Sequence, residues 1–405
     1  MINALRSFLN NSGAWVSLSM VMSKVLAFLM AIFLVRILPA DEFGILTVAL
    51  NFIGFFIPAL GFGSGHGMIR FGSLSADNQD IKTYSLKAGF INQVLISVAV
   101  IASGYLLNLD NFYIFQLILL MIIRLFGLFF LEQAKAELRA DLNNKKFARI
   151  EIISNIIAVI LGILFTLKWG ALGYVISLCI FPFSVFLMHR FNFSKSNISS
   201  VFKKEFWDFS VKSVFTIIVF MWIFLIDVFF VGKYFTAQDV AFYKVSTLIP
   251  MNLIFIAQVY TQTMYPELCR NASDKKYLTV FTLNYYRFFI PVTVMITILG
   301  FIFADEIMMI FGKGYHNTEI LKIMFLQMAS CILMRIPLGN LMSAMGHISA
   351  SLTIGIFILA VMIVSSFLFL PKGSPLTEAY ISLISITLGG IAAAVYYFRK
   401  LSVLK

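Results

Sequence analysis

The chain has 405 residues, 60% hydrophobic and only 12% charged, with a formal net charge of +12 at pH 7 and a mean hydropathy of +0.93. Soluble domains are about half apolar or less, which excludes that class, and long unbroken apolar runs exclude a membrane β-barrel. What remains is an all-α polytopic membrane protein, in which basic residues set orientation rather than bind nucleic acid.

About 20 apolar residues at 1.5 Å rise cross about 30 Å of hydrocarbon. Runs of that length predict twelve spans, near 13–38, 43–65, 87–107, 111–131, 148–167, 170–188, 209–231, 241–265, 281–303, 318–341, 349–370 and 376–398. The first reads as a helix rather than a removed leader, because no Ala-x-Ala site follows it. It carries Lys24 about 16 Å from either end, too deep to snorkel. A cation there costs about 2.5–3.5 kcal/mol, so it faces a bundle interior or water. The alternative is a structural partner, a carbonyl or a carboxylate. The second span carries Asn51 and Pro58 and closes on Gly61-Phe62-Gly63-Ser64-Gly65-His66-Gly67. That run follows no strand, so it reads as a helix-end bend or hinge rather than a nucleotide loop.

No connection is long enough to hold a domain. Those predicted on one side carry 20 Lys and Arg and those on the other carry six, which places both termini in the cytoplasm. Between spans six and seven, the stretch Val201–Trp207 (VFKKEFW) reads as an amphipathic piece in the cytoplasmic interface. Cys179, Cys269 and Cys331 have no metal-like spacing, and neither do the four histidines, so free thiols and no metal are expected. No Walker A loop is present, which excludes ATP hydrolysis by this chain.

The two halves look like copies. After span one stands RILPADEFG (36–44) and after span seven KYFTAQDVA (233–241), aligned at an offset of 197 residues. Gly173-Tyr174-Val175 and Ala379-Tyr380-Ile381 align at an offset of 206. The expected division is 1–200 and 201–405, each with six spans. Transporters built from such repeats bind substrate near the bilayer midplane where the repeats meet.

Five basic residues fall inside the spans: Lys24, Arg124, Arg287, Lys322 and Arg335. Lys322 stands near an outer end and reaches the interface. The other four lie at mid-depth or toward the cytoplasm, and with Arg70 and His66 they make a cationic vestibule. Asp227 in span seven is the one deep acid expected, so two or three cations stay uncompensated at about 5–10 kcal/mol unless water or a ligand meets them. Arg287 has the alternative of snorkelling inward. Asp227 is either a proton or sodium site or an ion-pair partner of a base such as Lys233. Asn51, Asn252, Gln258 and Gln262 are candidates for sugar contact.

The stretches Arg36–Gly44, Arg139-Ala140, Asp227–Tyr243 (DVFFVGKYFTAQDVAFY) and Phe311-Gly312-Lys313-Gly314-Tyr315 carry a family resemblance. The sequence resembles Wzx-type O-antigen or polysaccharide flippases of the multidrug/oligosaccharidyl-lipid/polysaccharide (MOP) exporter superfamily. The resemblance implies twelve helices in two six-helix bundles, shaped as a V around a central cavity. It implies a transporter rather than an enzyme, which carries undecaprenyl-diphosphate-linked oligosaccharide from the cytoplasmic to the periplasmic leaflet of a bacterial inner membrane. No cofactor is implied; H⁺ or Na⁺ is the coupling ion, with Asp227 as candidate. A polysaccharide polymerase and a chain-length regulator are the implied partners. Lys24, Arg70, Arg124, Arg287 and Arg335 would meet the diphosphate. The alternatives are a multidrug exporter of the same superfamily, which needs acids in its cavity, and a polysaccharide polymerase, which resembles chains with a large periplasmic loop.

Overall fold

The computed structural model describes residues 13–74, 78–106, 112–193, 196, 198–312, 314–315 and 318–404. Arg6, Lys195, Asn197, Lys313, His316 and Lys405 lie outside these residues, as do the side chains of Ser17 and Met20 near Lys24. The regular elements among the described residues are all helices, and the chain divides into two compact units, Met1–Ile218 and Val219–Lys405.

In the first unit the helices are α1 (Gly13–Ile37), α2 (Ala40–Gly54), α3 (Ser64–Leu74), α4 (Gln79–Leu106), α5 (Phe112–Ala140) and α6 (Asn144–Ile180). The first part of α7 (Ser200–Trp222) also belongs to it. The second unit holds α8 (Ile226–Tyr234), α9 (Ala237–Arg270), α10 (Lys275–Ile302), α11 (Ala304–Met309), α12 (Glu319–Ser330), α13 (Ile336–Ala344), α14 (Ile348–Phe369) and α15 (Pro375–Val403). Nine helices among the described residues are long and apolar enough to cross a membrane, ten if α7 and α8, bent by 54°, form one span. The predicted spans at 148–167 and 170–188 share one run of 44 residues, about twice a single crossing. That run is broken at Trp169–Gly170, where Gly170 takes φ +58. The predicted first span is α1, 25 residues long. The twelve expected crossings are consistent with this arrangement.

The glycine run at 61–67 does not end its helix; it interrupts a span that resumes as α3. Pro58 withholds an amide donor, and Gly61 and Phe62 take φ +56 and +52 inside the short 3₁₀ segment Ile57–Gly63. Irregular backbone at membrane depth survives only where protein meets its polar groups. Here the Gly61 N–H donates to Oε1 of the fully buried Gln93 at 3.1 Å, and Ser85 Oγ donates to the Ser64 carbonyl at 3.1 Å. A methyl group on Gly61 would stand 2.6 Å from the Phe129 ring. On the far side of this break α7 closes in: Gly67 leaves room for Ser210 and Phe206.

The break in α6 is met in the same way. The Glu42 carboxylate, from the stretch after α1, accepts the Ala171 N–H at 2.7 Å and restarts the helix beyond Gly170. In unit 2, α9 starts on a capping box between Thr236 and Asp239. Its core sets Leu268, Leu278, Leu338, Leu341 and Tyr397 together. Between α12 and α13 the chain widens into a π-turn over Cys331–Arg335 ahead of Pro337. Tyr285 donates its hydroxyl to the Ile332 carbonyl there at 2.7 Å.

Candidate functional site

The predicted cations fall on five helices and meet different surroundings. In unit 1, Lys24 is exposed on α1 and Arg70 is exposed at the end of α3, its guanidinium 4.6 Å from the Phe209 ring centroid. Arg124 is half-buried in α5, with Tyr174 and Cys179 as its electrostatic neighbours, and its Nε is buried without an acceptor. In unit 2, Arg287 is exposed on α10, while Arg335 is only 5% exposed. Arg335 lies 4.4 Å from the Phe220 ring centroid, and neither terminal nitrogen has a hydrogen-bond partner among the described residues.

The expected shortage of deep acids needs correction. Asp227 is buried as expected, but Glu378 is fully buried too, and Glu137 and Glu151 lie inside unit 1. Lys135, assigned to a connection by its sequence position, sits within α5 between Glu132 and Glu151 at 2.7 and 2.8 Å. Glu151 also accepts Ser23 Oγ at 3.0 Å, beside Lys24, and Asn155 donates to the same serine at 2.9 Å. His189 meets Glu137 at 2.8 Å. These contacts tie Lys135 and His189 to carboxylates within unit 1.

Asp227 stands at the start of α8. Its Oδ1 accepts the Val228 N–H at 2.7 Å and its Oδ2 accepts the Tyr243 hydroxyl at 3.1 Å. The charge acting on it is that of Lys244 in α9; Lys233, the base suggested by sequence, packs over Phe367 at 4.9 Å instead. Glu378 accepts Ser366 Oγ at 2.8 Å and is close enough to act on both Asp227 and Tyr243. Two carboxylates and two hydroxyls in one buried cluster can hold a proton or a small hard cation, which favours oxygen ligands. Sequence reading missed Glu378 because it stands three residues from Pro375 at a span's start, where an acid ordinarily belongs to the interface.

Among the amides, Asn51 is buried, Gln258 is half-buried, and Asn252 and Gln262 are exposed on α9. Asn252 spends one donor on the Leu248 carbonyl at 2.6 Å. Gln93, a polar residue inside the predicted span 87–107, serves the backbone break.

The sequence profile of a family described as "Polysaccharide biosynthesis protein" matches residues 33–319. No curated protein sequence matches the chain. Among solved structures, the backbone is similar to an inward-facing multidrug resistance MATE family transporter of the MOP superfamily, at TM-score 0.70 and 13% identity over 94% of this chain and 95% of that one. It is similar to the lipid II flippase MurJ in an inward closed conformation, at TM-score 0.75 and 14% identity over 96% and 89%. A MOP superfamily transporter from Pyrococcus furiosus, described as having a binding pocket of reverse polarity, matches at TM-score 0.54 and 13% identity over 100% and 93%. At these identities the likeness is one of fold, and the fold is that of MOP superfamily transporters.

Proposed function

The chain belongs to the polysaccharide biosynthesis protein family, and from that membership we propose that it is a flippase for undecaprenyl-diphosphate-linked oligosaccharide. It moves this lipid from the cytoplasmic to the periplasmic leaflet of a bacterial inner membrane, with both termini in the cytoplasm. The observation that carries the reading is fixed positive charge on membrane-spanning helices: Lys24 exposed in mid-helix, Arg124 half-buried with its Nε lacking an acceptor among the described residues, and Arg335 buried with both terminal nitrogens likewise unmet. Such groups are costly unless water or a counter-charge meets them. A diphosphate supplies the acceptors, and arginine's planar fork suits phosphate oxygens. Asn51, Asn252, Gln258 and Gln262 carry amides of the kind that sugar hydroxyls would meet.

Transport proceeds by alternating access, which a ligand drives only through different affinities for the two states. Asp227 and Glu378, with Tyr243 and Ser366, hold the H⁺ or Na⁺ that resets the cycle. An exporter of organic cations, the second reading, would draw on the same two acids; resistance to toxic cationic dyes that depends on this chain would favour it. To test the flippase reading, Lys24→Ala is expressed at wild-type level and surface polysaccharide is measured. A large loss is expected. Undiminished output removes Lys24 from the transport path, and undiminished output in Lys24→Ala/Arg124→Gln as well overturns the cation reading.

A further inference from the structure

Arg335 closes the π-turn of unit 2 and has left water almost entirely, yet Nη1 and Nη2 find no acceptor among the described residues. The Phe220 face offers it a cation–π contact, which returns only part of what a guanidinium loses when its donors are desolvated. Both nitrogens point toward glycine. Nη1 lies 3.2 Å from where a Cβ on Gly339 would stand, and Nη2 lies 3.5 Å from the equivalent point on Gly355. The same point on Gly339 is 3.8 Å from Oγ of Ser351, a hydroxyl 1% exposed that has no partner among the described residues. Two charged N–H groups and one hydroxyl thus converge beside two residues that lack side chains.

We propose that Arg335 and Ser351 form a phosphoryl-anion subsite within unit 2, and that Phe220 is its shutter. The two nitrogens of the fork match two phosphate oxygens, and Ser351 supplies a further donor. Phe220 stands two residues before the end of α7, where the chain bends by 54° into α8. A change of that bend moves the ring off the guanidinium and opens the site. A lipid diphosphate headgroup and free phosphate present the same oxyanion; the headgroup as source rests on the flippase reading, whereas the subsite does not.

The full-length chain in detergent is titrated with inorganic diphosphate, and separately with a short isoprenyl diphosphate, while the unfolding temperature is followed. A ligand that binds only the folded state raises that temperature. Arg335→Met should abolish the rise while leaving the ligand-free temperature unchanged or higher, because an uncompensated charge is removed. Ser351→Ala should weaken binding about 10-fold or more, as loss of one hydrogen bond to an ionised group does. Phe220→Leu should tighten it several-fold, since the ring no longer competes. Response to the isoprenyl compound supports the headgroup as source, and response to inorganic diphosphate alone supports free phosphate at the same subsite. No response to either anion, or a response that survives Arg335→Met, overturns the proposal. None of these readouts depends on transport, so a failed export assay at Lys24 leaves them standing.

Discussion

The two units handle buried charge in opposite ways. Unit 1, Arg124 aside, pairs it: Lys135 sits between two carboxylates and His189 against Glu137, with Ser23 and Asn155 completing the Glu151 shell. In unit 2 the direct contacts of the buried charges are with neutral groups, an aromatic ring for Arg335, the Tyr243 hydroxyl and a backbone N–H for Asp227, and a serine for Glu378, while Lys244 acts on Asp227 through space. A closed ion pair is a structural tie that no cargo needs to complete. A charge held by neutral partners remains free to gain a counter-ion.

The contrast can be broken at its strongest point first. Glu132→Ala/Glu151→Ala strands the Lys135 ammonium and should cost about 3–5 kcal/mol of unfolding free energy, read by chemical denaturation in detergent micelles. A loss near zero would show that the pairing in unit 1 carries no structural weight. Gln93→Ala leaves the Gly61 N–H buried without an acceptor and should cost about 1–3 kcal/mol, measured in the same way. If it costs nothing, the break at 57–63 is satisfied by water.

Asp227→Asn sharpens the other side. One oxygen can still accept a hydrogen bond, so stability should fall by only about 1 kcal/mol, while the dependence of transport on a proton or sodium gradient disappears. Unchanged gradient dependence would move the coupling site elsewhere. The smallest effect belongs to Asp141, at the turn between α5 and α6. Partial burial opposes its ionisation, but hydrogen bonds from Lys82 at 2.7 Å and Asn78 at 2.8 Å outweigh it and hold the carboxyl below its ordinary 3.8. The sign follows from that depression: the bridge stabilises the fold above the unfolded value and fades as pH falls through the lower folded value. Stability of Asp141→Asn should therefore be flatter below about pH 4 than that of the wild type; parallel curves would remove the bridge from the acid response.

Much of this was legible in the amino-acid order. The spans at 13–38, 87–107 and 281–303 correspond closely to α1, α4 and α10, because desolvating a backbone in lipid leaves helix as the available solution for a continuous apolar run. Asp227 stood out because no other acid is flanked so widely by apolar residues. Lys135, Glu151 and Glu378 did not, since a charge within two or three turns of a span's end looks the same whether it meets water or a neighbouring helix.

The glycine run shows the same limit. Pro58 and Gly61 announced a bend, but the resumption of the helix as α3 depends on Gln93, 32 residues further on, which reaches Gly61 from another helix. Composition and hydropathy thus determined the class, the helices and the presence of buried cations, because transfer into lipid is a property of each segment alone. Which charges are paired, which are covered by a ring and which broken backbone finds an acceptor were decided by tertiary contact. Those outcomes depend on a few ångströms between side chains far apart in the chain, and hydropathy carries no record of such distances.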